Sequence, residues 1–418
     1  MRWIPELVQR TADTLVPRLR RLDTYYRDDF DRLIRGPLQA FTQGLIRLRQ
    51  PPTGLGLGEE QVLEEEQALT ERVTDLMNRF LEHEYRDTDR IAERAGNTKT
   101  YGLVRGVFRI HEDLAPHLQT PLFQPGRSYL AYVRFGGPGP RVVPDIEDNG
   151  ILSIGVKLMG VPGAKLLDDE QHTVDFSGIS APTFTTPDVR ENVKLQEQVG
   201  LGTPAWYFLN PFDSHYLDMV MQGLYARAHT NPLQLTYHSC VPYLYGQTGG
   251  KPRAIKYALI PNFRSHKRAG PFTPDYLREA MRDTLTNEAV SFDFAIQFQA
   301  DPDTMPIEHA DVVWSTRDSP LIAVARLDIH VQRFDYPAQD VFARAITINP
   351  WHTIAEHRPL GNQNRARRAI YYATSRTRQT INGEQHVEPT GRERFDQVQE
   401  PRGGNVIEPE EESDREPV

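Results

Sequence analysis

The sequence has 418 residues, of which 25% are charged and 39% apolar, the ordinary composition of a globular protein. Its length can hold one large domain or two to three ordinary ones. The formal net charge of −9 disfavours a protein that binds nucleic acid through its phosphates.

Membrane spans and export signals are not apparent in the sequence. No apolar run is long enough to predict a transmembrane helix, and the N-terminus MRWIPELVQR lacks the apolar core of a signal peptide. A single cysteine, Cys240, excludes a disulfide within the chain. We therefore expect a cytoplasmic protein with no integral membrane segment.

The first 90 residues predict an N-terminal helical extension. Residues 5–48 have apolar side chains at roughly helical spacing, with Arg and Asp between them. Such a helix could lie on a membrane surface or on a partner, although packing on its own domain or on a twin subunit is the commoner arrangement. Residues 51–58 (PPTGLGLG) predict a linker, and residues 59–84 a second helix with one apolar stripe.

From about residue 100 the apolar pattern changes to alternation, which predicts strands. In residues 290–298, for example, Val, Phe and Ile alternate with Ser, Asp and Gln, as expected for an antiparallel sheet with one buried face. Several such strands with long insertions fit a closed barrel better than an open sheet. The predicted strands begin near Thr100 and continue at Ser128–Phe135, Leu152–Met159, Ala254–Pro261, Val290–Phe298 and Leu321–Val331.

Helices are predicted between these strands and after the last of them. Residues 213–229 and 274–285 have helical spacing, and the second begins with Pro in its first turn. A further helix is predicted over residues 365–379, with Asn364 as its N-cap. Residues 381–418 are rich in Glu, Asp, Arg, Pro and Gly, which predicts a disordered acidic tail.

The helix over residues 365–379 has a candidate site on one face. Arg367, Tyr371, Thr374 and Arg378 fall at i, i+4, i+7 and i+11. Arginines beside a tyrosine favour its phenolate form, because an opposite charge stabilises the anion. A phenolate is a hard anionic ligand for ferric iron and one of the few axial ligands that haem proteins use.

The spacing Arg367-x-x-x-Tyr371-x-x-Thr374-x-Arg376-x-Arg378 resembles the proximal haem motif of the catalases. This resemblance implies that Tyr371 binds the iron of haem b and that Arg367 acts beside it. Tyr372 with Arg368 has the same four-residue spacing, but the downstream residues match only the register of Tyr371. Without the matches at Thr374, Arg376 and Arg378, the same sequence would be typical of a surface helix with solvated arginines.

The resemblance extends over roughly residues 90–380 and implies an α+β fold, a catalase-like antiparallel barrel at residues 91–380 surrounded by helices. Arg94 matches an arginine that precedes the first barrel strand of catalases. Arg134, in the segment YVRF, matches an arginine that binds a haem propionate. With Arg378, and with Thr374 on the same helix, these residues would complete the cofactor-binding set.

Three positions depart from the catalase pattern. Asn97 stands where catalases have the distal histidine, Gly136 replaces the serine that orients it, and Ile179 or Ser180 stands at the distal asparagine. Histidine suits proton transfer because it titrates near neutrality, whereas the amide of Asn97 can only orient a ligand. We expect weak or absent catalase activity, and a more apolar, roomier pocket.

A haem enzyme acting on organic, fatty acid-type hydroperoxides is the favoured function. A residual catalase or peroxidase using hydrogen peroxide, or a non-catalytic haem or ligand binder, are the alternatives. The expected partners are a peroxide or hydroperoxide and further copies of the chain in a homo-oligomer. His352 and His357 form a weak candidate metal pair without a third ligand, and we expect them to hydrogen-bond their loop against the proximal helix.

Overall fold

The computed structural model describes residues 3–148, 150–265 and 270–396. Its strands are β1 (Thr100–Ile110), β2 (Ser128–Gly136), β3 (Ser153–Leu158), β4 (Val174–Ile179), β5 (Tyr237–His238), β6 (Tyr243–Thr248), β7 (Lys251–Pro261), β8 (Val290–Phe298) and β9 (Ile322–Ile329). Its helices are α1 (Trp3–Arg20), α2 (Asp23–Leu33), α3 (Arg35–Leu48), α4 (Glu66–Tyr85), α5 (Val189–Gly200), α6 (Pro204–Leu209), α7 (Tyr216–Tyr225), α8 (Tyr276–Asn287), α9 (Pro337–Ala345) and α10 (Asn362–Asn382).

The strands form one antiparallel sheet in the order β5-β4-β3-β2-β1-β9-β8-β7-β6. β5 also pairs with β7, through Tyr237 opposite Leu259 and His238 opposite Ala258. This second pairing closes eight strands into a barrel and leaves β6 as a hairpin partner of β7. The predicted closed antiparallel barrel is therefore confirmed.

Aromatic side chains fill the interior of the barrel. The ring of Phe294 lies 4.8 Å from that of Phe176, 5.1 Å from Tyr257 and 5.3 Å from Phe108, measured between centroids. Phe294 lies in this cluster because the residues of β8 alternate, as predicted, so that its Phe and Ile side chains point inward. A filled interior leaves the outer surface of the barrel as the place for a cavity.

The outer face of β2, β3 and β4 carries polar and small residues. Val133 and Phe135 point into the core, so that Arg134 between them points outward. In β3 the inward residues are Ile154 and Val156, which alternate with small or polar neighbours. Helix α10 and the loops beside it cover this face.

Several boundaries differ from the predictions. The helix predicted over residues 5–48 is three helices, with a turn at residues 21–22, and α4 begins at Glu66 rather than at residue 59. The helix predicted over residues 213–229 is the shorter α7. Helices α5, α6 and α9 and strands β5 and β6 were not predicted. The six-residue α6 and the two-residue β5 are too short to show a period.

Residues 383–396, predicted as part of the disordered tail, instead pack against the barrel. The carboxylate of Glu388 accepts hydrogen bonds from the backbone N–H groups of Gln171 and His172. Phe395 is buried against the rings of Tyr132 and Phe342. The remainder of the predicted tail, residues 397–418, lies outside the described residues. Among the described helices, none combines the length and the apolar character that crossing a bilayer requires.

Candidate functional site

A cavity with about 1110 Å³ of empty space, including its mouth, lies between α10 and the outer face of β2–β4. Helix α4 and the loops at residues 94–97 and 347–352 complete its walls. The seven residues predicted as catalytic or cofactor-binding all line this cavity: Arg94, Asn97, Arg134, Arg367, Tyr371, Thr374 and Arg378.

Carboxylates from distant segments cap the N-terminus of α10. Gly361, with a φ of +84°, precedes the helix and donates its N–H to Glu60 Oε1 at 2.9 Å. The N–H of Asn362 donates to Glu308 Oε2 at 2.7 Å. These anions complement the positive end of the helix dipole. The prediction that Asn364 is the N-cap is wrong, because that residue lies inside the helix.

Arg367 and Tyr371 face the cavity from α10, as their spacing predicts. The guanidinium carbon of Arg367 lies 4.8 Å from the centroid of the Tyr371 ring. Thr374, one turn further on, donates its hydroxyl to the carbonyl of Ile370 at 2.8 Å. The Tyr371 ring also packs against a cluster that includes Val73 of α4, which fixes its position in the wall.

Arg367 is buried among neutral groups. Its Nη2 donates to Ser177 Oγ at 2.7 Å, and its Nη1 donates to Asn364 Oδ1 at 2.9 Å and to the Tyr243 hydroxyl at 3.4 Å. Burial lowers the pKa of Arg367, but Tyr371 and Tyr243 outweigh it and hold that pKa above its ordinary value. Its Nε has no hydrogen-bond partner within the described part of the chain. The positive charge is therefore directed at Tyr371 rather than neutralised by a carboxylate.

Tyr372, the competing candidate, points away from this network. Its side chain is 39% exposed, and Arg376 lies over its ring. Arg368, its proposed partner, instead lies over the ring of Trp351. Tyr372 also borders the cavity, but Tyr371 alone of the two contacts the buried Arg367.

A second group of cations, Arg94, Arg134 and Arg378, converges on the cavity. Arg94 and Arg378 donate to the carbonyls of Ile346 and Ala345, and Arg134 donates to the carbonyl of Asn97. Nη1 of Arg94 and Nε of Arg378 have no hydrogen-bond partner, and among the described residues no carboxylate forms an ion pair with any of the three.

Burial lowers the pKa values of these three arginines, and the nearby carboxylates of Glu93 and Glu384 offset that effect only in part. Burial lowers the pKa of Arg134 and of Arg378 to about 10. Burial and the positive charges of its two neighbours hold the pKa of Arg94 well below its ordinary value. Three crowded guanidinium groups in one wall are electrostatically unfavourable unless an anionic ligand joins them.

Asn97 and Gly136 lie beside this arginine group. Asn97 has a φ of +51°, a left-handed conformation that asparagine tolerates better than most residues. A Cβ on Gly136 would lie 2.7 Å from Arg134 Nη1 and 2.9 Å from the carbonyl oxygen of Lys99. The expectation that Gly136 makes the pocket roomier is wrong, because the Arg134 guanidinium occupies that space.

Ile179, rather than Ser180, lines the cavity at the ambiguous position of β4. Ser180 is buried and accepts a hydrogen bond from the N–H of Leu152 at 2.9 Å. Phe184 adds a second apolar side chain to the lining.

A buried ionic network adjoins the cavity. His352 hydrogen-bonds Asp175 at 2.8 Å through Nδ1 and Asp169 at 3.0 Å through Nε2. Burial lowers the pKa of His352, but the two carboxylates outweigh it and raise that pKa to about 9. Glu170, Asp175 and His352 together resemble a metal set. The ammonium of Lys157, which contacts both Glu170 and Asp175, occupies the space between them, so this is an ion-pair network.

His352 and His357 do not form a pair, and neither holds its loop against the proximal helix. His357 lies elsewhere, 2.8 Å from the hydroxyl of Thr120 and edge-on to the ring of Phe123. Sequence reasoning also missed Ser177 and Asp169 in the cavity wall. Ser177 falls on the outward face of β4, which alternation could have shown, whereas Asp169 lies in a loop without any pattern.

Comparison with known proteins gives the class of this fold. No family model and no curated protein sequence matches the chain. Among solved structures, catalase A from Saccharomyces cerevisiae superimposes with a TM-score of 0.55 and 15% identity, covering 82% of this chain and 73% of that one. A bacterial catalase superimposes with a TM-score of 0.52 and 18% identity, covering 86% of this chain and 71% of that one. A fungal catalase superimposes with a TM-score of 0.51 and 15% identity, covering 82% of this chain and 67% of that one.

The chain therefore has a catalase-like fold, an antiparallel barrel with surrounding helices and an additional N-terminal helical segment. At 15–18% identity the likeness establishes the fold alone.

Proposed function

We propose that residues 91–380 bind haem b in this cavity, with Tyr371 as the iron ligand. The observation that carries the proposal is the convergence of the predicted ligand, its partner Arg367 and three further arginines on one cavity. The barrel places them together from β2, α10 and the loop before β1.

The unsatisfied groups of the cavity match the chemistry of a haem. Arg134 and Arg378 are buried and Arg94 is half-buried, and none of the three is ion-paired to a carboxylate of the described residues. Two propionates would supply anions to them through charge-assisted hydrogen bonds. Ile179 and Phe184 offer an apolar surface to a porphyrin ring. Arg367 offers an uncompensated positive charge to an ionised Tyr371, as an anionic iron ligand requires.

When bound, the haem supplies a redox-active iron that weakens the O–O bond of a peroxide. The side chains around the bound haem determine which reactions it can support. Arg367, held by Ser177 and Asn364, keeps its positive charge beside Tyr371, where it would stabilise an anionic iron ligand. Asn97 can donate a hydrogen bond to a ligand from its amide, but that amide cannot act as a general acid or base near neutral pH.

We propose organic, fatty acid-type hydroperoxides as the substrates, with little hydrogen peroxide dismutation. Dismutation needs a group that takes a proton from one oxygen and returns it to the other. Asn97 lacks that capacity, whereas rearrangement of an organic hydroperoxide does not depend on it to the same degree. Met77 and Ile348 add further apolar side chains to the lining, which suits an acyl chain beside the porphyrin. We also expect the protein to form a homo-oligomer.

Haemin titration followed by visible absorbance tests the cofactor. The wild-type chain should bind one haemin with a phenolate-type spectrum, Tyr371→Phe should lose that spectrum, and the control Tyr372→Phe should keep it. An unchanged spectrum for Tyr371→Phe would refute the assignment of the ligand.

Steady-state assays of the haem-loaded chain test the substrate. We expect turnover of a fatty acid hydroperoxide and little of hydrogen peroxide. Hydrogen peroxide turnover at ordinary catalase rates would support a residual catalase instead. Tight haem retention without turnover of either substrate would support a non-catalytic binder.

A further inference from the structure

Exposed apolar side chains are concentrated in the N-terminal helices. Of the 24 large apolar residues that are exposed in the described part of the chain, 12 lie within residues 3–48. They include Trp3 at 63%, Tyr25 at 80% and Phe41 at 65% exposure. Single exposed apolar residues are normal, but a concentration of this kind marks a surface that contacts something apolar.

The inner faces of these helices are already in use. Gln9 of α1 accepts a hydrogen bond from the N–H of Ala205, and Arg20 donates to the carbonyl of Ile146. Gln43 and Arg47 of α3 donate to the carbonyls of Asp311 and Val313. The helices are therefore anchored to the body of the protein, and the exposed side chains belong to their outer faces.

The outer face of α1 combines apolar and basic residues. Trp3, Leu7, Arg10, Thr14 and Arg18 fall at i, i+4, i+7, i+11 and i+15, which is one side of a helix, and all five are exposed. Arg21, in the turn that follows, continues the same side.

The arginines of this face carry charge that is not neutralised within the protein. Among the described residues, Arg10, Arg18 and Arg21 form no ion pair. Glu6 and Asp13 lie about 80–100° around the helix from the centre of this face. The exposed acids of α2 are paired, Asp28 with Arg227 and Asp29 with Arg32. The face of α1 that carries Trp3 and Leu7 is thus both apolar and cationic.

The charge of the extension is opposite to that of the rest of the chain. Residues 1–50 contain 10 Arg, no Lys and 6 Asp or Glu, which gives them a formal charge of +4. Since the whole chain has a net charge of −9, the remaining residues have a net charge of −13. An acidic body is repelled by an anionic surface, whereas the extension is attracted to it. The charge distribution therefore orients the molecule with α1–α3 toward such a surface.

We propose that α1–α3 dock the protein on the surface of a membrane that contains anionic lipids. In an interfacial amphipathic helix, arginines bind the lipid phosphates and Trp and Tyr rings lie at the level of the headgroups. The helices lie on the bilayer and do not cross it, consistent with the absence of a spanning helix among the described residues. The docking does not depend on haem.

Co-sedimentation of the full-length chain with vesicles tests the docking. We expect binding to vesicles of equal phosphatidylcholine and phosphatidylglycerol, weaker binding at high salt, and little binding to phosphatidylcholine alone. The triple variant Arg10→Gln/Arg18→Gln/Arg21→Gln should lower the affinity for the anionic vesicles on the order of 100-fold, about fivefold for each arginine. Trp3→Ser/Leu7→Gln should weaken binding at every salt concentration.

A matched control removes the same charge from the body. Arg282, Arg317 and Arg394 are exposed arginines outside the extension, and their joint replacement by Gln should leave vesicle binding unchanged. Equal binding of both triple variants, or no binding of the wild type to anionic vesicles, would overturn the proposal. Self-association that is lost in Trp3→Ser/Leu7→Gln, without vesicle binding, would assign the surface to a second copy of the chain and overturn it as well.

Discussion

The guanidinium of Arg134 rests against Gly136, with Nη1 2.7 Å from the position that a Cβ on residue 136 would take. The two residues are next-nearest neighbours on β2, so both point to the outer face of the barrel. The absence of a side chain at residue 136 thus allows Arg134 to lie flat against the wall, where it hydrogen-bonds Asn97 and Thr100.

Gly136→Ala should displace the Arg134 guanidinium and weaken haemin binding. The added methyl would also meet the carbonyl oxygen of Lys99 at 2.9 Å, which cannot move easily because it belongs to the backbone. We expect a loss of stability of about 1–3 kcal/mol, as for other overpacked sites. Thermal unfolding and haemin titration measure both effects.

Gly96→Ala is the matched control for this substitution. Gly96 also lines the cavity, but apart from its two chain neighbours no atom of the described residues lies within 4 Å of the position that a Cβ would take. The Gly96→Ala variant should therefore keep the stability and the haemin affinity of the wild type. Equal behaviour of the two variants would show that the contact between Arg134 and residue 136 does not matter.

Arg367→Gln should weaken haemin binding and alter the visible spectrum of the complex. The substitution removes the cation beside Tyr371 and leaves Ser177 and Asn364 without their charged donor. Charge-assisted hydrogen bonds contribute about 1.5–3 kcal/mol, so the affinity should fall by about tenfold or more. Arg368→Gln, which changes the adjacent and exposed arginine, should bind haemin as the wild type does.

Asn97→His should raise the turnover of hydrogen peroxide by the haem-loaded chain. A positioned acid–base group typically contributes about 10²–10⁴ in rate, and the gain should lie at the low end because Gly136 provides no hydroxyl to orient the new imidazole. Histidine is among the residues that tolerate the left-handed backbone of residue 97. Asn97→Ala should show no gain, and an equal gain in both variants would contradict the assigned role.

The predictable part of the site was the part encoded by local spacing. Tyr371 and Arg367 lie on one face of α10 because four residues make about one helical turn, and tertiary contacts do not alter that relation. The barrel strands were predictable for the same reason, since inward and outward residues alternate. The two-residue strand β5, which closes the barrel, has no period to detect.

The unpredictable part depends on contacts between distant segments. Asn364 is a favourable N-cap residue by local sequence rules. The helix nevertheless begins earlier, because Glu60 and Glu308, which are distant in sequence, accept hydrogen bonds from the backbone N–H groups of Gly361 and Asn362. His352 and Asp169 are 183 residues apart and meet only in the folded chain. Phe395 is an isolated apolar residue in a polar segment, too weak a signal to predict that the segment packs.

The network around His352 should make stability depend on pH in the alkaline range. Asp169 and Asp175 raise the pKa of His352 to about 9 in the folded chain, above its ordinary value of 6.5. A group whose pKa is raised by folding stabilises the folded state fully below its unfolded pKa, and this contribution is lost as the pH rises through the folded value. The charged or titratable neighbours Lys157, Glu170, His386 and Arg376 also face this network.

His352→Gln should therefore cost stability that varies with pH. Denaturant unfolding of wild type and variant should differ most near pH 6, by at most about 3 kcal/mol for a shift of this size, and the difference should decline between pH 6.5 and 9. His357→Gln is the contrast, because burial lowers the pKa of His357 to about 3 and its imidazole is neutral throughout that range. Its cost should stay constant from pH 7.5 to 9, and a similar decline in both variants would show that the pH dependence arises elsewhere.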